Sequence, residues 1–190
     1  MVAAATAGAA TGRAFFLPMK IDSDDFELFG IARRFEQDRH DLDQRWRGLQ
    51  AEVHPDKFAA DGAARQRVAM QWAVRVNEAY ERLKDPLKRA AYLCELHGAP
   101  IRAESNTAMP AGFLARQMEW REALEDAGTL KQVETLRRAV TEHRSKALLK
   151  LGALLDQRQD FAGASQEVRA LMFVERFAQD VEHRLEALEP

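Results

Sequence analysis

Leu42-Asp43-Gln44-Arg45-Trp46-Arg47-Gly48-Leu49-Gln50-Ala51-Glu52-Val53-His54-Pro55-Asp56-Lys57 is the stretch on which the reading of this chain turns. Leu42, Trp46, Leu49 and Val53 recur at steps of four, three and four, the spacing of one apolar face on a helix. Proline disfavours the helical region for the residue before it and brings no backbone N–H, so the helix is predicted to stop at His54. The following segment, Lys57 to Ala64, contains Asp61-Gly62 and reads as a loop. Val68, Trp72, Val76, Ala79 or Tyr80, and Leu83 then open a second amphipathic run. His54, Pro55 and Asp56 are therefore expected at the tip of a helical hairpin.

Three further blocks flank that tip in order. Phe26-Glu27-Leu28-Phe29-Gly30-Ile31 precedes the first long helix, Val76-Asn77-Glu78-Ala79-Tyr80 lies in the second, and Leu83-Lys84-Asp85-Pro86-Leu87-Lys88-Arg89-Ala90-Ala91-Tyr92 follows it. Together with His54-Pro55-Asp56-Lys57-Phe58 they resemble the J-domain, in which a helical hairpin carries the HPD tripeptide. The tripeptide alone would be weak, since an ordinary helix-ending proline with a solvated Asp gives the same letters.

Composition excludes several alternatives. The chain has 190 residues, 46% hydrophobic and 31% charged, which suits one or two small cores in a soluble protein. No apolar run approaches the length of a membrane-spanning helix. Residues 1–100 hold 15 basic and 15 acidic side chains, and the remainder 13 and 15, so neither half has the basic excess of a nucleic-acid binder. Cys94 is the only cysteine, which rules out an internal disulfide and any paired-cysteine zinc site and suits a reducing compartment. His40, His97, His143 and His183 lack ligand spacing, so no metal or cofactor is expected. Residues 1–20 are rich in Ala, Thr and Gly, with Arg13 and Lys20 and no acid before Asp22; they read as a disordered tail, with a transit peptide as the alternative.

Asp85-Pro86 is a helix-start signature, and the short helix it opens should run through Tyr92 and Leu93 to His97-Gly98. Ala99-Pro100 and Asn106 to Pro110 read as a linker. Three helical patterns follow: about 110–127, ended by Gly128; about 130–156, capped by Thr129; and about 164–188. In the last, Leu171, Val174, Ala178, Val181, Leu185 and Leu188 form the seam of a bundle helix. No strand alternation and no internal repeat is found. The expected fold is all-α: tail 1–22, J-domain 23–97, linker 98–109 and a three-helix bundle 110–190.

A J-domain joined through Tyr92-Leu93-Cys94-Glu95-Leu96-His97-Gly98 to such a bundle, with Phe113-Leu114 and Trp120-Arg121-Glu122 in it, is similar to the HscB family of co-chaperones for iron-sulfur cluster assembly. The resemblance covers the chain from about Asp24 and implies an L-shaped molecule. It implies two partners, the DnaK-type chaperone HscA and the cluster scaffold IscU. It also implies that the protein catalyses nothing itself. The missing cysteine-rich zinc module points to the bacterial, cytoplasmic form, with the mitochondrial matrix as the alternative.

The resemblance assigns stimulation of the chaperone ATPase to His54, Pro55 and Asp56, with Lys57, Arg45 and Arg47 as basic contacts. Ala51, Glu52 and Val53 depart from the basic and aromatic residues common before the tripeptide, so electrostatic steering should be weaker. In the bundle, Phe113, Gln117, Trp120 and Leu124 make a buried stripe, which leaves Leu114, Ala115, Met118, Glu119 and Glu122 on a neighbouring face. Phe173 stands about 100° off the seam of its helix. The resemblance assigns scaffold binding to Leu114, Ala115, Met118, Glu119, Arg121, Glu122 and Phe173; pattern alone would put Leu114, Met118 and Phe173 in a broad core face. A general J-protein that delivers unfolded clients is the second reading. A hydrolase using His54 and Asp56 is the third, disfavoured because Pro55 should hold imidazole and carboxylate apart and no Ser or Cys sits at the turn.

Overall fold

The computed structural model describes residues 22–102, 109–110 and 112–188. The tail or transit-peptide segment up to residue 21 and half of the expected linker, 103–108, lie outside the described residues. Described elements are the α-helices α1 (Asp25–Phe29), α2 (Arg39–Val53), α3 (Ala63–Lys84), α4 (Pro86–Leu96), α5 (Phe113–Glu125), α6 (Leu130–Gly152) and α7 (Phe161–Leu188). A 3-10 turn, Pro55–Asp61, links α2 to α3, and a π-helical turn, Ala153–Arg158, follows α6. No strand occurs among the described residues.

Helices α2 and α3 run antiparallel. Trp46 Nε1 donates to Asn77 Oδ1 at 3.0 Å, and nearer the open end the Tyr80 hydroxyl donates to Asp43 at 2.8 Å. The apolar faces meet where the spacing places them: Leu42, Val53, Val76, Ala79 and Leu83 are buried, and the Trp46 and Tyr80 rings stack at 4.6 Å. Burying a large apolar side chain is worth about 1.5–3 kcal/mol, so this seam is what holds the hairpin shut.

The short α1 is fixed to the hairpin by a buried charge. Asp25 is inaccessible to solvent and lies 2.7 Å from Arg75 and 2.8 Å from Arg82, while its N–H donates to the Tyr92 hydroxyl. Arg82 in turn stacks over the Tyr92 ring at 4.7 Å. A buried carboxylate needs such partners: α3 contributes both arginines, and the α4 tyrosine takes up the backbone N–H beside it.

In the back half α6 and α7 pack antiparallel, with Lys150–Glu167, Arg144–Glu175 and Arg137–Glu182 ion pairs along their length. The Thr129 capping box starts α6, as expected from sequence. Across this pair lies α5, anchored by Trp120, which stacks on Phe177 at 5.7 Å and meets His143 edge-on at 5.1 Å. The core runs without interruption from front to back, because α4 packs on both α3 and α7 and buries Ala90, Leu93 and Cys94.

Three boundaries differ from the sequence expectation. Residues expected as a loop after Pro55 instead curl into the 3-10 turn, which packs on α3. The pattern expected to continue to 156 changes winding at Ala153. Helix α7 begins at Phe161, three residues early, because the Asp160 side chain accepts from the N–H of Gly163 at 2.8 Å and caps it.

Candidate functional site

Two surfaces emerge, one on each half. At the first, α2 ends because His54 turns extended, with φ −62° and ψ 125°. Pro55 then occupies the first position of the 3-10 turn, where its fixed φ and missing N–H fit. The His54 ring Nδ1 accepts from the Asp56 N–H at 3.3 Å, so the imidazole caps the turn. The Lys57 N–H donates to the His54 carbonyl at 3.0 Å and closes it. At the far end Gly62 takes φ 93° and ψ 160°, a backbone state essentially reserved for glycine, which redirects the chain into α3. The result is a rigid corner from which Asp56 projects with 88% of its side chain exposed and His54 with 55%.

Pro55 does not separate the two side chains. His54 Nδ1 lies 3.6 Å from Asp56 Oδ2, because the tight turn folds the carboxylate back toward the ring. That corrects the geometric objection raised against a dyad. The pair still stands in open solvent, and among the described residues Ser23, Ser145, Ser165 and Cys94 lie on other elements, so no described serine or cysteine faces it.

All three basic candidates, Arg45, Arg47 and Lys57, are exposed. Arg45 differs in being bonded within the domain: its Nε donates to Asp41 at 2.8 Å and its Nη1 to the carbonyls of Phe29 and Gly30 at 3.1 and 3.0 Å. It ties the end of α1 to α2. Nearby, the Tyr80 hydroxyl and then Arg39 hold the Asp43 carboxyl below its ordinary pKa.

The second surface lies on α5 and α7. Phe113 and Trp120 are buried, with Gln117 and Leu124 half-buried beside them, which makes the expected inward stripe. On the adjoining face Leu114 and Met118 are 62% and 63% exposed, flanked by exposed Ala115, Glu119, Arg121 and Glu122. Phe173 of α7 reaches the edge of this strip half-buried, its ring edge-on to Phe113 at 5.9 Å. The Arg121 guanidinium lies over the same ring at 5.4 Å, a cation held on an apolar floor. The structure thus brings all seven predicted residues of this group onto one side of the bundle, with the two large aliphatic side chains in solvent.

Of the remaining histidines, His40 and His183 are exposed, and the other two serve the fold. His97 stacks flat on Phe161 at 3.8 Å, and His143 is wedged between Phe113 and Trp120, where burial lowers its pKa from the ordinary 6.5. Burial pushes the Cys94 thiol up to about 11. Among the described residues no group of three His, Cys, Asp or Glu side chains is arranged to hold a metal ion. Sequence reasoning missed Phe177 beneath Trp120 and the paired arginines around Asp25; both depend on contacts far apart in the chain.

An antiparallel helical hairpin with a solvent-projecting HPD corner, joined to a three-helix bundle, defines a J-domain co-chaperone. A family model for the HSCB C-terminal oligomerisation domain matches residues 109–182. Co-chaperone protein HscB homologs of Burkholderia mallei and Paraburkholderia xenovorans are each 49% identical to this chain, over 174 and 172 residues. Those matches cover 90% and 89% of this chain and 99% and 98% of theirs. The solved chaperone HscB from Vibrio cholerae superposes with a TM-score of 0.76 at 33% identity, over 88% of this chain and all of that one. Human co-chaperone HscB does so with a TM-score of 0.82 at 25% identity, over 94% of each. The chain belongs to the HscB family, the co-chaperones of iron-sulfur cluster assembly.

Proposed function

We propose that this protein recruits the cluster scaffold IscU through the α5/α7 strip and presents it to the DnaK-type chaperone HscA. It then stimulates HscA ATP hydrolysis through the HPD corner and so promotes cluster transfer. The observation that carries this reading is the pairing, on one chain, of an exposed Leu114–Met118 strip with an exposed, prestiffened HPD turn.

At the corner, the Asp56 carboxylate is free to accept a bidentate pair of hydrogen bonds from an arginine of the ATPase. Pro55 and the His54 cap already hold the turn, so little ordering entropy is lost on docking. Lys57 and Arg47 add a small positive field; Arg45, bonded to α1, acts by holding the hairpin base. In the bundle, Leu114, Met118 and Phe173 offer apolar area to a folded partner, with Ala115 as a shallow gap and Glu119, Arg121 and Glu122 as a charged rim that sets register. The bacterial origin of the two relatives that are 49% identical supports placing this work in a bacterial cytoplasm. No described helix is long and apolar enough to cross a membrane.

The test uses purified scaffold and chaperone with ATP turnover as readout. Asp56→Asn should abolish stimulation while scaffold binding and helicity stay unchanged, because the side chain touches nothing the fold needs. The triple variant Leu114→Ala, Met118→Ala, Phe173→Ala should do the reverse, losing scaffold binding and keeping stimulation by the co-chaperone alone. Binding of unfolded clients in place of the scaffold, unaffected by the triple variant, would instead make this a general J-protein.

A further inference from the structure

Sulfur is placed unevenly over this molecule. The sequence holds one cysteine and six methionines. Cys94 is buried and its thiol is held un-ionised, whereas three of the four methionines among the described residues are exposed: Met70 on α3, Met118 on α5 and Met172 on α7. The fourth, Met109, is half-buried and packs against the core. An oxidant in the surrounding solution therefore meets thioethers before it meets the thiol.

Of the exposed three, Met118 stands at the middle of the α5/α7 strip. Leu114 and Ala115 lie four and three positions before it, and Arg121 and Glu122 three and four positions after it. Those spacings put all four beside it on the helix surface. A methionine there differs from a leucine in one respect. Both offer flexible apolar area to a partner, but the thioether sulfur is a nucleophile toward peroxides. The sulfur attacks the terminal oxygen of a hydroperoxide, an S–O bond forms and the O–O bond breaks. The peroxide's own proton passes to the departing oxygen, which leaves as water or an alcohol. Sulfur is oxidised by two electrons and the peroxide reduced by two, so no further reactant is needed.

The product sets a polar acceptor in the centre of an apolar contact, and burying that oxygen against a partner without a donor for it is unfavourable. One turn along, the Arg121 guanidinium, now 5.4 Å from the centre of the Phe173 ring, gains a competing acceptor. The helix itself has little to lose. Met118 is 63% exposed, and α5 is anchored through Phe113 and Trp120 on another face. The HPD corner, His54 to Asp61, contains no sulfur.

We propose that Met118 is a site of reversible oxidation by hydroperoxides, and that one oxygen atom added there disarms the α5/α7 strip while the HPD corner stays competent. Selective oxidation follows from exposure and chemistry; its consequence for the scaffold rests on the proposed function. The oxidised chain reaches the chaperone but brings no scaffold to it. A methionine sulfoxide reductase reverses the step, a dithiol giving up two electrons to become a disulfide as the oxygen leaves as water.

The test uses the full-length chain, unmodified and in a Met70→Leu, Met172→Leu background that removes the other two exposed thioethers. Under hydrogen peroxide at neutral pH, peptide mass spectrometry should show Met118 sulfoxide forming about tenfold or more faster than Met109 sulfoxide, with helicity and melting temperature unchanged. Equal rates, or unfolding in step with Met118 conversion, would overturn the proposal. Peroxide is then removed and calorimetric affinity for purified scaffold compared before and after. Affinity should fall about tenfold and return on treatment with the reductases and a dithiol. Met118→Leu, measured against its own starting affinity, should lose less than about twofold. Undiminished affinity in the oxidised chain, or an equal loss in Met118→Leu, refutes the switch. Met118→Gln places a polar acceptor there without any oxidant and should bind about tenfold more weakly than the unmodified chain at unchanged melting temperature; full affinity in this variant counts against the mechanism. Stimulation of the chaperone ATPase by the oxidised chain without scaffold should match that of the untreated chain, and its loss would contradict the separation of the two surfaces. Failure of the untreated chain to bind scaffold would count against the proposed function alone, and the oxidation rates would then decide the Met118 site by themselves.

Discussion

The HPD corner and the α5/α7 strip are both exposed, yet they are built on opposite terms. The corner is polar and local: eight residues from His54 to Asp61 hold it, through one proline, one imidazole cap and short backbone bonds. The strip is apolar and assembled: Leu114 and Phe173 come from helices nearly sixty positions apart, aligned by Phe113, Trp120 and Phe177 beneath them. Contact chemistry at the corner can therefore change without touching the fold. Contact chemistry on the strip is continuous with the core, so function and stability are partly coupled there.

The sharpest way to break that contrast is to remove the support under the strip. Trp120→Ala deletes a buried ring packed between His143 and Phe177 and should lower stability by about 3–5 kcal/mol in denaturant titration, with loss of scaffold binding. A loss under about 1 kcal/mol would mean the strip does not depend on that floor. Next in size, Phe173→Ala should cost binding through lost contact and about 1–2 kcal/mol of stability through lost packing on Phe113, whereas Met118→Ala should weaken binding with almost no change in melting temperature. Comparing calorimetric binding with thermal melts of the two variants separates the contributions.

On the corner, Gly62→Ala places a Cβ at φ 93° and should cost about 1 kcal/mol while Asp56 remains exposed. Thermal melting combined with ATPase stimulation would check whether the turn tolerates strain without losing function. The smallest expected effect is one of acidity. The folded pKa of His143 lies below 6.5, so its contribution to stability is whole above that pH and is lost as pH falls through the lowered value. His143→Gln should remove that decline from a melting-temperature profile taken between neutral and mildly acidic pH; an identical slope in the variant would show that the histidine is not responsible.

The same contrast explains what was legible in the sequence. The seam of α2 and α3, the stop at His54, the Thr129 cap and the α7 seam are statements about residues within a few positions of one another, and helix periodicity reports them directly. The exposure of Leu114 and Met118 was not readable from pattern alone, because an apolar residue one step off a stripe looks the same whether it faces a neighbour or water. Resemblance to a family supplied that assignment. The 3-10 turn escaped notice because Asp61-Gly62 carries loop chemistry and the turn is stabilised by packing on α3. Arg89, Asp25 and Asp156 resemble ordinary surface charges until the backbone groups and arginines they meet, 50 to 121 positions away, are brought to them. The π-helical winding at Ala153 has no compositional mark that we recognise.

Cys94 adds a consequence of a different kind. Its sulfur is sealed between α4 and α7 and is almost wholly un-ionised at neutral pH. A member of a family of co-chaperones for iron-sulfur cluster assembly thus has its one thiol withdrawn from solvent. Burial and protonation together leave little thiolate to bind a metal ion or react with peroxide while the fold persists.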